Sequence, residues 1–150
     1  MKKLFVALLF IVLVSGCVAQ TPSTTFIQQG TDVCNEDGKP VIVMFSATWC
    51  PHCNWIGPTF DRVAEEYAAQ GKIAAYHWQL DTGDNDLTDA VETAVPAKFK
   101  GMFDTYSPEG SVPVFVFGCA FYRVGNGHEA QEDLAAEEAD FRAILDHLTK

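Results

Sequence analysis

The feature that most constrains this chain is a change of rhythm near residue 50. Val41-Ile42-Val43-Met44-Phe45 is an unbroken apolar run, which reads as a central strand covered on both faces. Trp49-Cys50-Pro51-His52-Cys53 follows at once, and then Trp55, Ile56, Phe60, Val63, Ala64 and Tyr67 recur at three- and four-residue spacing. That spacing is the apolar stripe of an amphipathic helix. Pro58 falls inside the helix and should kink it. Two cysteines therefore sit at the joint between a buried strand and a helix.

That joint has chemical consequences. The first sulfur stands at a helix N-terminus, where unpaired N–H groups and the helix dipole favour an anion. The Cys50 thiol is accordingly expected to ionise well below the free value of about 8.5, and the thiolate is the nucleophile. Two intervening residues bring Cys53 round the first turn, within disulfide reach. Pro51 suits the first turn because it has no N–H to leave unpaired. His52 adds a group able to carry positive charge beside the sulfur. A structural disulfide and a metal site are the competing readings. One Cys-x-x-Cys supplies two of the usual four zinc ligands, and no second pair of matching spacing exists.

The remaining chain completes one domain. A second strand spans Ile73 to Leu80, and Asp81 to Asp86 is a polar loop. Leu87 to Tyr106 reads as helical but broken at Pro96. Val112 to Phe117 and Ala120 to Val124 read as two strands joined by a tight turn at Gly118-Cys119. A final helix covers about Gln131 to Leu148, with Leu134, Phe141, Ile144, Leu145 and Leu148 on one stripe. The order strand, helix, strand, helix, strand, strand, helix predicts an α/β domain with a mixed sheet.

Residues 41–53 as a whole resemble the active-site strand and motif of the thioredoxin family of thiol–disulfide oxidoreductases. Pro58 matches that family's helix proline, Val112-Pro113 its cis-proline, and Val124-Gly125 its last strand. The likeness runs from about Lys39 to Lys150, with an insertion between Asp81 and Gly110 and a shortened last hairpin. It implies a thioredoxin fold, a central mixed β-sheet flanked by helices. It also implies an enzyme that exchanges disulfides with protein substrates, needing no cofactor or metal. Cys50 would attack and Cys53 resolve, with Trp49 on the rim and Val112 and Pro113 presenting backbone to substrate. Trp55 and Trp78 would pack in the core or a groove.

Two positions depart from the family pattern. Met44 stands where thioredoxins keep a buried carboxylate that helps deprotonate the second cysteine, and His77 stands at the spacing of its partner lysine. His77 is therefore considered as a substitute proton acceptor, against a packed or surface histidine. In the family topology the strand of Pro113 runs antiparallel to 41–45, which implies a Cys34–Cys119 bridge at the pole opposite the motif; two free thiols are the alternative. Cys-Pro-His-Cys resembles the oxidising periplasmic enzymes, while the compact frame resembles thioredoxin. Oxidase or isomerase is favoured slightly over reductase. A copper or haem-thiol chaperone using the same two sulfurs is the rival reading.

The N-terminus sets the location. Met1-Lys2-Lys3 precedes 11 apolar residues from Leu4 to Val14, too few to span a bilayer but suited to a signal peptide. Val14-Ser15-Gly16-Cys17 resembles a prokaryotic lipobox, which implies removal of residues 1–16 and a lipid on Cys17. Cleavage after Ala19 and an uncleaved anchor are the alternatives, and each exports the protein. Residues 17–31 read as a linker, ending in a short edge strand near Thr25 to Gln28, and 32–150 as the domain. The formal charge of −10 excludes a nucleic-acid partner, which needs a basic face. The expected form is a membrane-anchored monomer on the extracytoplasmic side, served by a membrane or soluble redox partner. His128 and His147 receive no role, and the acidic run from Glu132 to Glu138 reads as a solvated helix face.

Overall fold

The structure, a computed structural model, describes residues 24–150. Its elements are β1 (Ile27–Gln28), β2 (Asn35–Glu36), β3 (Lys39–Ser46), α1 (Pro51–Ala69), β4 (Ala74–Gln79), α2 (Ala97–Tyr106), β5 (Val114–Phe117), β6 (Phe121–Val124) and α3 (Leu134–Leu148). The sheet runs β1–β6–β5–β3, with β4 on the other edge of β3 and β2 folded back as a small hairpin on its first residues. Among the described residues only β3 and β4 are parallel; β5, β6 and β1 add antiparallel partners. This is the mixed α/β sheet of the thioredoxin fold.

Alternation along β3 explains its apolar run. Ile42 and Met44 face the core beneath α1 and α3, with Phe60, Phe115, Phe117, Phe141 and Ile144. Val41, Val43 and Phe45 face the opposite core, with Trp78, Phe99, Val114 and Val116. A strand with helices on both faces has no solvent side, which accounts for the unbroken apolar run from Val41 to Phe45, and the buried Ser46 that ends it is hydrogen-bonded to His77. Met44 is fully buried, and no carboxylate stands at that position.

Register then places the site. Phe45 pairs with Val114 and Ile42 with Phe117, so Val112-Pro113 lies at the end of β3 that leads into Cys50. The far end of β5 turns through Gly118, where an added Cβ would lie 2.9 Å from the Val33 side chain at a φ of +61°. Only glycine meets both conditions without cost.

Several expectations need correction. Residues 87–96 are not helical. Their side chains bond locally instead: the Glu92 N–H donates to Asp84 Oδ1 and the Thr88 hydroxyl to Glu92. Such bonds offer the backbone an alternative to the helix, and Pro96 blocks propagation into α2. The last helix starts at Leu134 rather than Gln131, after a 3-10 turn at Glu129–Gln131 and a left-handed Glu132 (φ 52°), with Asp133 as its N-cap. The short edge strand expected near Thr25 to Gln28 is present as β1, paired with β6, and Phe26 before it packs 4.9 Å from Phe117, so packing of the domain begins ahead of residue 32. Cys17 and the signal segment lie outside the described residues. Among the described residues no helix is long and apolar enough to cross a membrane.

The acidic face of α3 is not simply solvated. Glu137 is fully buried, and Glu138 clasps α3 to α1 by accepting from Arg62 Nη2 (2.7 Å) and Arg142 Nε (2.8 Å). Arg142 also donates to Glu66 (2.6 Å). The guanidinium bonds from Arg62 and Arg142 hold the Glu138 carboxyl down from its ordinary 4.5 to about 2. A carboxyl lowered on folding contributes stability above its unfolded value and loses it as pH falls through the folded one. Acid unfolding is therefore expected to steepen between about pH 4.5 and 2. An Arg62→Gln, Arg142→Gln variant should flatten that limb, as should added salt. Superimposable acid limbs for the two proteins would remove the clasp from this account.

Candidate redox-active site

Cys50 is held by the way β3 ends. Residues 47–49 form a tight turn closed by the Cys50 N–H donating to Ala47 O (3.0 Å). The turn is anchored to Asp81, just beyond β4, which accepts from the Thr48 hydroxyl and from the Thr48 N–H (3.1 Å). These bonds hold the Asp81 carboxyl below the usual carboxylate range. Cys50 is then the N-cap of α1 with extended φ/ψ (−86°, 112°), and its sulfur accepts from the Cys53 N–H at 3.1 Å. That is the bond a serine or aspartate makes at a helix start. Pro51 opens the helix, and no acidic residue occupies its first turn, so the helix end stays electropositive toward the sulfur.

Cys50 and Cys53 are joined as a disulfide with Cα atoms 5.3 Å apart. Both are almost wholly covered, whereas neighbouring Trp49 is 73% exposed. Val112-Pro113 is a cis peptide, and the Val112 carbonyl oxygen lies 3.9 Å from Cys50 Sγ. Pro113 is fixed from behind by the Gly125 N–H, which donates to its carbonyl at 2.8 Å. The structure thus brings the Cys50–Cys53 pair against Val112 and cis-Pro113, with Trp49 exposed and Pro51 opening the helix beside them.

His52 points outward, and its Nδ1 lies 2.8 and 2.9 Å from the two carboxylate oxygens of Glu129. Asn126 ties the pair together by donating to the His52 carbonyl (3.0 Å) and to Glu129 (2.8 Å). Burial raises the Glu129 carboxyl, but the bonds from His52 and Asn126 outweigh it and bring it below its ordinary value. Glu129 and Asn126 carry no sequence signal: the contact spans 77 residues and no motif marks it.

Behind Cys53 lies a cavity of about 220 Å³, lined by Ser46, Cys53, Gly57, Asp61, His77, Gln79 and Asp86 among others. His77 is 3% exposed; its Nε2 lies 2.8 Å from Ser46 Oγ and its Nδ1 2.7 Å from Asp61 Oδ1. Sequence reasoning found His77 but neither of its partners.

Cys34 and Cys119 form a disulfide at the opposite pole, with Cα atoms 5.4 Å apart. The Cys34 N–H donates to Gly118 O (2.8 Å) and its carbonyl accepts from the Val41 N–H (3.0 Å). Trp78 is buried beneath α2, and Trp55 packs half-buried against the other core. His128 sits 3.2 Å from Asp140, and His147 lies edge-on to Phe121. No group of three or more His, Cys, Asp or Glu side chains among the described residues is placed to hold a metal ion.

Comparison with known proteins agrees with this architecture. Bloodstream-specific protein 2 of Trypanosoma brucei brucei is 35% identical over 83 residues, which is 54% of this chain and 15% of that protein. Protein disulfide-isomerase of Saccharomyces cerevisiae is 29% identical over 133 residues, covering 76% of this chain and 24% of its own length. The chloroplastic M-type thioredoxin of Pisum sativum is 38% identical over 76 residues, 49% of this chain and 43% of that one. The chain therefore spans less than half the length of each of these relatives. The thioredoxin family profile matches residues 19–97, more than half of the sequence and including both motif cysteines. With the fold, the Cys50–Cys53 pair and the cis-proline in place, the chain belongs to the thioredoxin family.

Proposed function

We propose that this protein is an extracytoplasmic thiol–disulfide oxidoreductase that exchanges disulfides with protein substrates through Cys50 and Cys53. The observation that carries the reading is Cys50 as helix N-cap, bonded to Cys53 and bordered by the Val112 carbonyl and cis-Pro113. In the reducing direction the Cys50 thiolate attacks a substrate disulfide, forming a mixed disulfide and releasing one substrate thiolate. Cys53 then attacks Cys50 Sγ, closing the Cys50–Cys53 bond and freeing the second. Two electrons pass from the enzyme dithiol to the substrate, and oxidation reverses every step. The edge at Val112-Pro113 presents backbone on which an extended substrate segment can align.

An exported, lipid-anchored location is supported by the signal-like start and Cys17, and by the Cys34–Cys119 bridge, since disulfides persist in oxidising compartments. Oxidation or isomerisation is preferred to reduction because the helix end and the His52 imidazole, a group able to carry positive charge, stand beside Cys50 and favour the reduced thiolate. The Glu129 carboxylate engages the His52 ring, which keeps the preference slight.

The test is capture. Cys53→Ser is expected to accumulate mixed disulfides at Cys50 with disulfide-bearing partners, each releasing one partner thiolate, visible on non-reducing gels and reversed by reductant. Cys50 in the reduced wild type should ionise well below the free-thiol value of about 8.5. An ordinary Cys50 titration together with no trapped partner would end the reading. A reduction potential nearer about −120 mV than about −270 mV would place the protein among the oxidants.

A further inference from the structure

The cavity behind Cys53 contains more than packing requires. His77 is buried, yet both ring nitrogens are engaged by side chains from different elements: Asp61 of α1 at Nδ1 and Ser46 of β3 at Nε2. A carboxylate only accepts, so Nδ1 carries a hydrogen and the neutral ring presents its Nε2 lone pair to Ser46. Ser46 Oγ has a second acceptor within 3.5 Å, the Trp78 carbonyl. Its hydroxyl can therefore donate to His77 when Nε2 is bare, and turn to Trp78 when Nε2 is protonated. The buried network satisfies its hydrogen bonds in both protonation states, which purely structural histidines do not need.

The same cavity reaches the sulfur. Cys53 and Gly57 lie four residues apart on one face of α1. A Cβ added at Gly57 would stand 3.5 Å from His77 Cε1. The cavity of about 220 Å³ that these groups line carries the polar side chains of Ser46, Asp61, His77, Gln79 and Asp86, with room for bridging water. The titratable groups facing His77 are Asp61 and Cys53 from α1 and Asp86, 3.7 Å from Nδ1, from the loop after β4. Ser46 comes from β3, Gln79 donates to Asp86 at 2.6 Å, and the Phe60 ring closes one side.

We propose that Ser46, His77 and Asp61 form the proton station of the resolving step, in which His77 Nε2 accepts the Cys53 proton through the cavity. This rests on the oxidoreductase reading above. The Cys53 S–H bond breaks and its proton passes to Nε2, where the imidazolium is paired with Asp61. The Cys53 thiolate attacks Cys50 Sγ, the Cys50–Cys53 bond forms, and the substrate sulfur leaves with the electron pair of the broken disulfide. In reverse, His77 returns the proton to Cys53. Asp61 and Ser46 are positioning residues: Asp61 sets the tautomer and Ser46 adjusts to the charge state.

The discriminating variant is His77→Gln. Its amide donates to Asp61 and accepts from Ser46 but takes no proton. Reduced protein mixed with oxidised glutathione, acid-quenched and analysed by mass spectrometry, separates attack at Cys50 from resolution by Cys53. The variant is expected to attack at the wild-type rate. Its resolving step should slow about 100-fold at neutral pH, the usual size of a general-base contribution. The Cys50–glutathione adduct should accumulate, and the defect should fade above about pH 9, where thiols ionise unaided. Asp61→Asn, which can hold the ring in the wrong tautomer, should reproduce that pH profile. Wild-type resolution in His77→Gln, or a defect of equal size at every pH, would overturn the proposal. If Cys53→Ser never captures glutathione, the oxidoreductase reading itself falls and takes this inference with it.

Discussion

A Cys34→Ala, Cys119→Ala double variant is expected to lose roughly 4–5 kcal/mol of unfolding free energy. The bridge closes a separation of 85 residues, and in the chain-entropy account a loop of that size removes about that much freedom from the unfolded state. The native side of the balance is favourable too. Cys34 is already hydrogen-bonded to both strands it joins, through Gly118 O and the Val41 N–H. Cys119 holds a left-handed φ of 58°, a conformation that costs a non-glycine residue about 1 kcal/mol or more, but alanine at 119 bears the same cost, so the difference between the two proteins is unaffected by it. Urea titration of oxidised wild type and variant measures the difference. The midpoint should fall while Cys50–Cys53 exchange on a small disulfide persists, because the bridge lies at the other end of β3. A loss below about 1 kcal/mol would mean that the unfolded chain is already compact around these residues.

The elements that were legible in the sequence are those whose cause is local. Val41 to Phe45 had to be a doubly covered strand because no residue in it tolerates water. The stripe from Trp55 to Tyr67 had to be a helix because only that period gathers those residues on one face. Register then carried Val112-Pro113 to the motif and Cys119 to Cys34, so the thioredoxin topology implied by the motif was enough to place them. What escaped notice was decided by contacts distant in sequence or by competition among polar side chains. Residues 87–96 have helical composition, but Asp84, Asn85, Thr88 and Glu92 bond to one another and to nearby backbone instead. The partners of His77 sit 16 and 31 residues away on two different elements. Glu129 reaches His52 from the far side of the chain, and no periodicity registers a single exposed carboxylate. Glu137 was misread for a related reason: within a run of acids nothing marks the one that faces inward.

That inward carboxylate carries the second large prediction. Glu137→Ala is expected to destabilise the domain by about 3–5 kcal/mol, and Arg123→Ala by a similar amount, since each leaves a buried charge without its partner. Arg123 Nη2 donates to Glu137 at 2.5 Å, and the other Glu137 oxygen accepts from the His128 N–H at 2.7 Å. The guanidinium also reaches Thr25 Oγ1 and the Gly125 carbonyl, and lies 4.7 Å from the centre of the Phe26 ring and 4.9 Å from that of Phe115. Burial pulls Arg123 below its ordinary value even though Glu137 and Asp140 act to raise it, a sign that desolvation outweighs attraction in this pair. An Arg123→Met, Glu137→Leu double variant should therefore recover much of the loss from either single change, and a double-mutant cycle in urea measures the coupling. The consequences extend to the active site, because Gly125 donates its N–H to Pro113 and accepts from Arg123. Loosening Arg123 releases the carbonyl side of Gly125, next to the residues that hold Pro113 and Glu129 in place. The single variants should accordingly show weakened substrate capture at Cys50 at temperatures where they remain folded, while the apolar double variant, lacking the Gly125 contact, regains stability without regaining capture. Single variants within about 1 kcal/mol of wild type would show that water or a neighbouring group satisfies the orphaned charge, and the pair would then have no special part in holding the cis-proline loop.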